Sequence, residues 1–297
     1  MVAGNSTRFT APAPDASRSC AVVVLFHPDH GLRERLKQIF NQFAKVVLVD
    51  NTPGGSPSRE WPDAAHVIRN DRNLGVAVAL NQGIDFALAN NFEWLATFDQ
   101  DSELLSGYLE KVISVATRSS PCPVLVGCNY LNADRGRAAY AVSSDAVDVM
   151  SRPTLITSGT FMPAEFARGI GGFREDYFID SVDHEFCLRA RRYGAAILMT
   201  AQPYMRHRMG VAGVGIGRTF SLQHSPLRRY YIVRNTLATV RKNAWRHPLW
   251  SLRQLGRLAA EGAAIVAFES GKGPKLRAYL RGLWHGIIGR SGPHPHV

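Results

Sequence analysis

The chain has 297 residues, 45% of them hydrophobic, and a formal net charge of +11. That size and apolar content support a substantial core, in one large domain or one domain with an appendage, and exclude a disordered chain. No run of about 18 apolar residues marks a membrane span, and residues 1–19 lack the apolar segment of a secretion signal, so the protein is expected in the cytoplasm.

Charge is unevenly spread. From Cys187 onward, 19 Lys or Arg face only Glu261 and Glu269, a net of +17, whereas residues 1–186 hold 16 against 22, a net of −6. A cationic C-terminal third suits nucleic acid, anionic lipid or phosphorylated ligands. Cys20, Cys122, Cys128 and Cys187 show no C-x-x-C or metal-finger spacing and read as reduced, structural thiols.

In chain order, residues 1–18 read as a flexible lead-in. The apolar run 21–26 reads as a buried strand, 32–43 as a helix with Leu32, Leu36, Ile39, Phe40 and Phe43 at helical spacing, and 45–49 as a strand ending at Asp50. Strand, helix, strand is the unit of a parallel sheet, whose ligands bind at the carboxyl ends of the strands. Asp50 falls at that edge, either as an acceptor of hydrogen bonds from a nucleoside or as a turn-former. Residues 52–62 form a Gly- and Pro-rich loop and 66–68 a short strand. Asn73-Leu74-Gly75 then precedes a helix, where an amide and backbone N–H groups can meet a phosphate or a base.

Residues 92–98 form the next expected strand and run straight into Asp99-Gln100-Asp101. Two carboxylates in a turn at that edge repel each other and suit a hard divalent cation, Mg2+ or Mn2+, that shares its coordination sphere with a substrate phosphate. A helix over 104–116, a strand over 121–126, a poorly patterned excursion over 129–148 and a strand over 155–162 follow, the last interrupted at Ser158-Gly159, where a ligand can approach the backbone.

Asp180, Asp183 and Glu185 then crowd the start of a helical run through Phe186, Leu188, Ala190 and Tyr193. The positive end of a helix favours ionised Asp183 and Glu185, as a base requires; helix caps and first-turn acids present the same pattern. A strand over 195–199, a basic segment over 204–209 with Arg206 and His207, a Gly-rich loop over 210–217 and a basic helix over 228–241 come next. Leu249, Leu252, Leu255 and Leu258 mark an apolar stripe that either packs inward or lies on lipid.

Assembled, these motifs resemble the inverting family 2 glycosyltransferases with the GT-A fold, and among them the bacterial rhamnosyltransferases of surface polysaccharide synthesis. The resemblance spans about residues 20–240 and rests on Val47-Leu48-Val49-Asp50-Asn51, Asn73-Leu74-Gly75, Phe98-Asp99-Gln100-Asp101, Thr157-Ser158-Gly159, Val182-Asp183-His184-Glu185 and Arg229-Tyr230-Tyr231-Ile232-Val233-Arg234-Asn235. It implies an α/β fold with a mixed, mostly parallel sheet flanked by helices. Residues 1–18 would be a flexible N-terminus, 19–240 the transferase domain and 241–297 a basic helical extension.

The resemblance also implies roles. Asp50, Asn73, Gly75, Asp99 and Arg206 would bind a nucleotide-sugar donor; Asp99, Asp101 and His207 would hold the divalent metal; Asp183 would be the catalytic base; Ser158, Gly159, Asp180 and Glu185 would face the acceptor or support the base. Many relatives carry Glu-Asp where this chain has Val182-Asp183, which leaves Asp183 as the base. The donor would be dTDP-L-rhamnose and the acceptor a saccharide or lipid-linked saccharide, handled in the cytoplasm at an anionic membrane surface. Other readings are a different donor sugar, such as galactofuranose or glucose, and a nucleic-acid-binding protein, which charge alone permits. Nucleic acid is not among the expected partners. A nucleotidyltransferase would need a Gly-rich loop after the first strand, where Phe26-His27-Pro28-Asp29 stands.

Overall fold

A computed structural model of the chain describes residues 9–56, 61–119, 122–133, 136–142, 147–207 and 224–294. The chain forms two compact units, one of Met1–Phe173 with Phe186–Arg208, the other of Arg174–Glu185 with Met209–Val297.

The first unit is built on strands β1 (Ser19–Leu25), β2 (Lys45–Asp50), β3 (Ala65–Arg69), β4 (Trp94–Asp99), β5 (Ser102–Leu104), β6 (Val124–Asn132), β7 (Val149–Ser151), β8 (Thr160–Pro163) and β9 (Ala196–His207). They join in one sheet, ordered β3-β2-β1-β4-β8-β6-β9-β5, with β7 also on β9. β3, β2, β1 and β4 run parallel, β8 is antiparallel to β4 and β6, β9 is parallel to β6, and β5 and β7 are antiparallel to β9. The Val-rich runs of β1 and β2 are almost wholly buried, as interior parallel strands require.

Alternation along those strands divides the core. Ala21, Val23, Leu25, Val46, Leu48 and Phe98 meet Leu32, Leu36 and Ile39 of α1 (Leu32–Gln42) and Tyr108, Val112 and Val115 of α3 (Tyr108–Thr117). Val22 instead meets α2 (Val76–Ala89) at Gly83, where a Cβ would lie 2.3 Å from a Val22 methyl. Helices therefore cover both faces. A short α4 (Ala164–Gly169) follows β8, and α5 (Val182–Arg192) starts among the residues of the second unit and ends in the first.

Three elements differ from expectation. The helix expected over 104–116 begins at Tyr108, because Ser102–Leu104 pair with β9. The interrupted strand over 155–162 contracts to β8, and the basic segment at 204–207 is the end of the long β9. The lead-in is anchored from Phe9 onward: its ring meets that of Phe166 edge-on at 5.3 Å, and Trp94 Nε1 donates to the Pro12 carbonyl at 3.3 Å. All four cysteines are free, and burial pushes the Cys20 and Cys128 thiols up to about 12, so they behave as small hydrophobes.

The second unit contains α6 (Pro226–Asn243), α7 (Pro248–Phe268) and α8 (Lys272–Ile288). Ser225 caps α6, accepting the Arg228 N–H, with Pro226 at the first helical position. Ile232, Val233, Leu258, Ile265 and Tyr279 form its core. The expected basic helix turns part of its charge inward: Arg229 is buried and pairs with Glu261 at 3.1 Å and Glu269 at 2.8 Å, while Lys275 meets Glu269 at 2.8 Å. The leucine stripe splits, because Leu249 and Leu258 lie nine positions apart, about half a turn at 3.6 residues per turn. Leu258 is buried, whereas Leu249, Leu252 and Leu255 are exposed.

Candidate active site

β1 pairs Leu25 with Asp50 on one side and Val24 with Asp99 on the other, so both carboxylates stand at the carboxyl edge of the parallel strands. Gln100 pins the turn after β4 to the end of β1: its amide donates to the Phe26 carbonyl at 2.9 Å and accepts the Phe26 N–H at 2.8 Å. The chain returns as β5, where Ser102 lies opposite His207 of β9. This register brings a histidine from more than 100 positions away to the Asp-x-Asp turn. His207 Nδ1 is 3.5 Å from Asp101 Oδ1, and one ligand atom from each of Asp99, Asp101 and His207 falls within 4.8 Å of the others. Two carboxylates and an imidazole at that spacing fit a divalent cation of the Mg2+ or Mn2+ class.

Ser102, which sequence reasoning passes over, orients this cluster. Its Oγ lies 2.9 Å from His207 Nδ1 and 2.6 Å from Ser158 Oγ, and Ser158 Oγ accepts the Asp99 N–H at 3.1 Å. The hydroxyl chain fixes the imidazole plane and ties residues 157–159 to the ends of β4 and β5. Gly159 donates its N–H to the Thr97 carbonyl at 2.8 Å; its φ of +74° and a Cβ position 2.6 Å from Cys128 Sγ both require glycine. Ser158 and Gly159 thus support the Asp-x-Asp turn from below. Arg206, next along β9, is exposed and donates to Glu103 Oε1 at 3.0 Å. A donor contact would require that pair to open.

Asp50 first folds its own loop. Oδ1 accepts the Thr52 N–H at 3.0 Å and Oδ2 the Ser56 N–H at 2.8 Å. Burial pushes its carboxyl up, but the hydrogen bonds from Thr52 and Ser56 outweigh burial and hold the pKa below the ordinary value. The turn-forming role is therefore realised, and the carboxylate retains lone pairs for a ligand. Beside it, Asn51 Nδ2 donates to the Gly75 carbonyl at 3.0 Å and Asn73 Oδ1 accepts the Gly75 N–H at 2.9 Å. Asn73 and Gly75 so form a fixed turn at the start of α2.

In the second unit, the chain before α5 is bent into an uncommon backbone. Phe178 has φ +65° and ψ −64°, and Ile179 donates its N–H to the Tyr177 carbonyl at 2.8 Å, a three-residue turn of the rare, strained hand. Asp180 and Ser181 follow with φ of +63° and +58°. Asn235 of α6 spans the bend, its amide nitrogen 2.9, 2.7 and 3.0 Å from the carbonyls of Tyr177, Ile179 and Asp180, while its Oδ1 accepts Arg234 Nε at 2.9 Å.

α5 rises from this bend with Asp183 and Glu185 in its first turn. Asp183 is partly buried and accepts the His184 N–H on Oδ1 at 2.7 Å; Glu185 is buried. Asp180 meets Arg228 at 3.3 Å; burial raises its pKa despite that cation.

A mixed sheet covered by helices, with acidic side chains at the ends of its parallel strands and an Asp-x-Asp turn joined by a histidine, is an arrangement similar to that of the GT-A glycosyltransferases. The chain carries a glycosyl transferase family 2 domain, whose model matches residues 20–157. Over 290 residues it is 29% identical to the dTDP-rhamnosyl transferase RfbF of Shigella flexneri, covering 92% of this chain and 96% of that one. Among solved structures, GalNAc-T7 with UDP, GalNAc and Mn2+ is similar at a TM-score of 0.54 and 14% identity over 78% of this chain. S. aureus TarS is similar at 0.50 and 14% identity over 92% of this chain. The chain spans about half of those two, 48% and 53% respectively, and shares their fold. Among the described residues, no helix is long and apolar enough to cross a membrane.

Proposed function

We propose that the protein is an inverting rhamnosyltransferase that moves L-rhamnose from dTDP-L-rhamnose to a hydroxyl of a saccharide or lipid-linked saccharide in cell-surface polysaccharide synthesis, working in the cytoplasm at an anionic membrane surface. The observation that carries the transferase chemistry is the Asp99, Asp101 and His207 cluster at the end of β4. The choice of rhamnose is supported by the relative of 29% identity that covers nearly the whole chain.

Inverting transfer is a single displacement: the acceptor oxygen bonds to the anomeric carbon as the bond to the diphosphate oxygen breaks. Asp183, in the first turn of α5, takes the acceptor proton. Asp180 and Glu185 support that base. Asp50, Asn73 and Gly75 position the nucleoside and diphosphate, with Ser158 and Gly159 shaping the floor. Asp99, Asp101 and His207 would hold Mg2+ or Mn2+, which neutralises charge on the departing nucleoside diphosphate.

A panel of nucleotide sugars, scored by protection against thermal unfolding with Mn2+ or Mg2+, tests the donor, because a ligand that binds only the folded form raises the melting temperature. dTDP-L-rhamnose should give the largest shift. Asp183→Asn should keep that shift while losing about 10²–10⁴ in turnover. A larger shift with a galactofuranose or glucose donor replaces the sugar, and unimpaired turnover by Asp183→Asn removes the base.

A further inference from the structure

The two C-terminal helices display apolar side chains to solvent. Trp245, just before α7, is 98% exposed, and Leu249 and Leu252 are 71% and 67% exposed. At about 100° per residue, Leu249, Leu252, Gly256, Ala259, Ala263 and Val266 fall within one stripe about 100° wide. All six are exposed, so the outer face of α7 carries an uncharged band along the helix. α8 repeats the feature with Leu280, Trp284, Ile287 and Ile288, each more than half exposed.

The charge around these faces has one sign. Residues 241–297 hold ten Lys or Arg against two acids, a net of +8. Both acids turn inward to Arg229, Glu261 also meeting Arg257 and Glu269 also meeting Lys275. Arg246, Arg253, Arg277 and Arg281 are exposed. A second copy of the chain would bring the same cations against them, and a polyanion without an apolar phase would leave the leucines and isoleucines uncovered.

We propose that the outer faces of α7 and α8, together with Trp245, dock on an anionic lipid bilayer: the apolar side chains enter the interface and the arginines meet the headgroups. This deepens the reading of a lipid-linked acceptor and rests on it for biological purpose, but lipid binding is measured without turnover.

The full chain is sedimented with vesicles containing phosphatidylglycerol and with vesicles of phosphatidylcholine alone. Binding should favour the anionic vesicles and weaken with salt. Each cation at such a surface contributes about fivefold, so Arg277→Gln with Arg281→Gln should weaken binding about 25-fold. Leu249→Ser with Leu252→Ser, at exposed positions, should weaken it about tenfold or more while turnover of a water-soluble acceptor is unchanged. Equal binding to both vesicle types, or binding untouched by these variants, overturns the proposal. So does a vesicle-independent dimer that the leucine variant dissociates. If no nucleotide sugar is turned over while vesicle binding and its loss hold, the transferase reading falls and the docking surface stands.

Discussion

Replacing Asn235 with alanine tests whether the strained bend before α5 matters to turnover. The asparagine has two N–H donors spread over three carbonyls, those of Tyr177, Ile179 and Asp180, and one acceptor engaged by Arg234. At about 1 kcal/mol net per hydrogen bond, the clamp contributes roughly 3 kcal/mol. Phe178, Asp180 and Ser181 each hold a backbone conformation that costs about 1–3 kcal/mol in a residue other than glycine. Together that strain is about 3–9 kcal/mol, at least as large as the clamp, so without the clamp the bend relaxes while the cores of both units persist. Asp183 lies two residues beyond Ser181, and a displacement of about 1 Å at a reacting group costs about 10² in rate. Asn235→Ala should accordingly lower kcat about 100-fold, lower the melting temperature, and leave divalent-ion affinity unchanged. Asn235→Asp, which keeps the acceptor for Arg234 but faces three carbonyls with no donor, should be worse than alanine. Steady-state kinetics with calorimetric Mn2+ titration decide the matter: an Asn235→Ala protein with wild-type kcat refutes the reasoning.

Ser102→Ala should lower Mn2+ affinity about tenfold or more, the usual consequence of losing a partner that orients a ligating histidine, as measured by titration of the protein without substrate. Ser102→Thr, which keeps the hydroxyl, should restore most of it. Burial, with Arg228 and Arg229 nearby, lowers the His224 pKa from 6.5 to about 4. Neutral His224 therefore contributes stability that is fully present above pH 6.5 and is lost as pH falls toward 4. His285, also lowered by burial and neighbouring arginines, acts in the same direction. Urea unfolding at stepped pH should show His224→Gln with a shallower loss of stability across that window than the parent chain.

Much of the framework of the candidate site was legible locally. The buried valine runs of β1 and β2, the spacing of Leu32, Leu36 and Ile39, and Asp99 at the end of an apolar strand all follow from periods of two and 3.6 residues, which a short window of sequence contains. The acids at the start of α5 were legible as a helix start for the same reason. Asp50 was open between turn-former and ligand contact, because the N–H groups that engage it come from Thr52 and Ser56 in an irregular loop without a period. The Gly-rich loop at 210–217 lies outside the described residues.

The rest was decided by contacts distant in sequence. Ser102 meets His207 only because β5 and β9 pair in that register, across 105 positions. Arg229 looks like one more surface cation until Glu261 and Glu269, 32 and 40 positions on, receive it in the interior. The positive-φ residues Phe178, Asp180 and Ser181 include no glycine to announce them, and Asn235, 55 to 58 positions from the carbonyls it holds, stabilises what local preference opposes. Local sequence determined which segments become strands and helices, since backbone periodicity and burial act over a few residues. Only the tertiary structure decided which side chains meet, because pairing register and the burial of charge depend on partners that a local window does not contain.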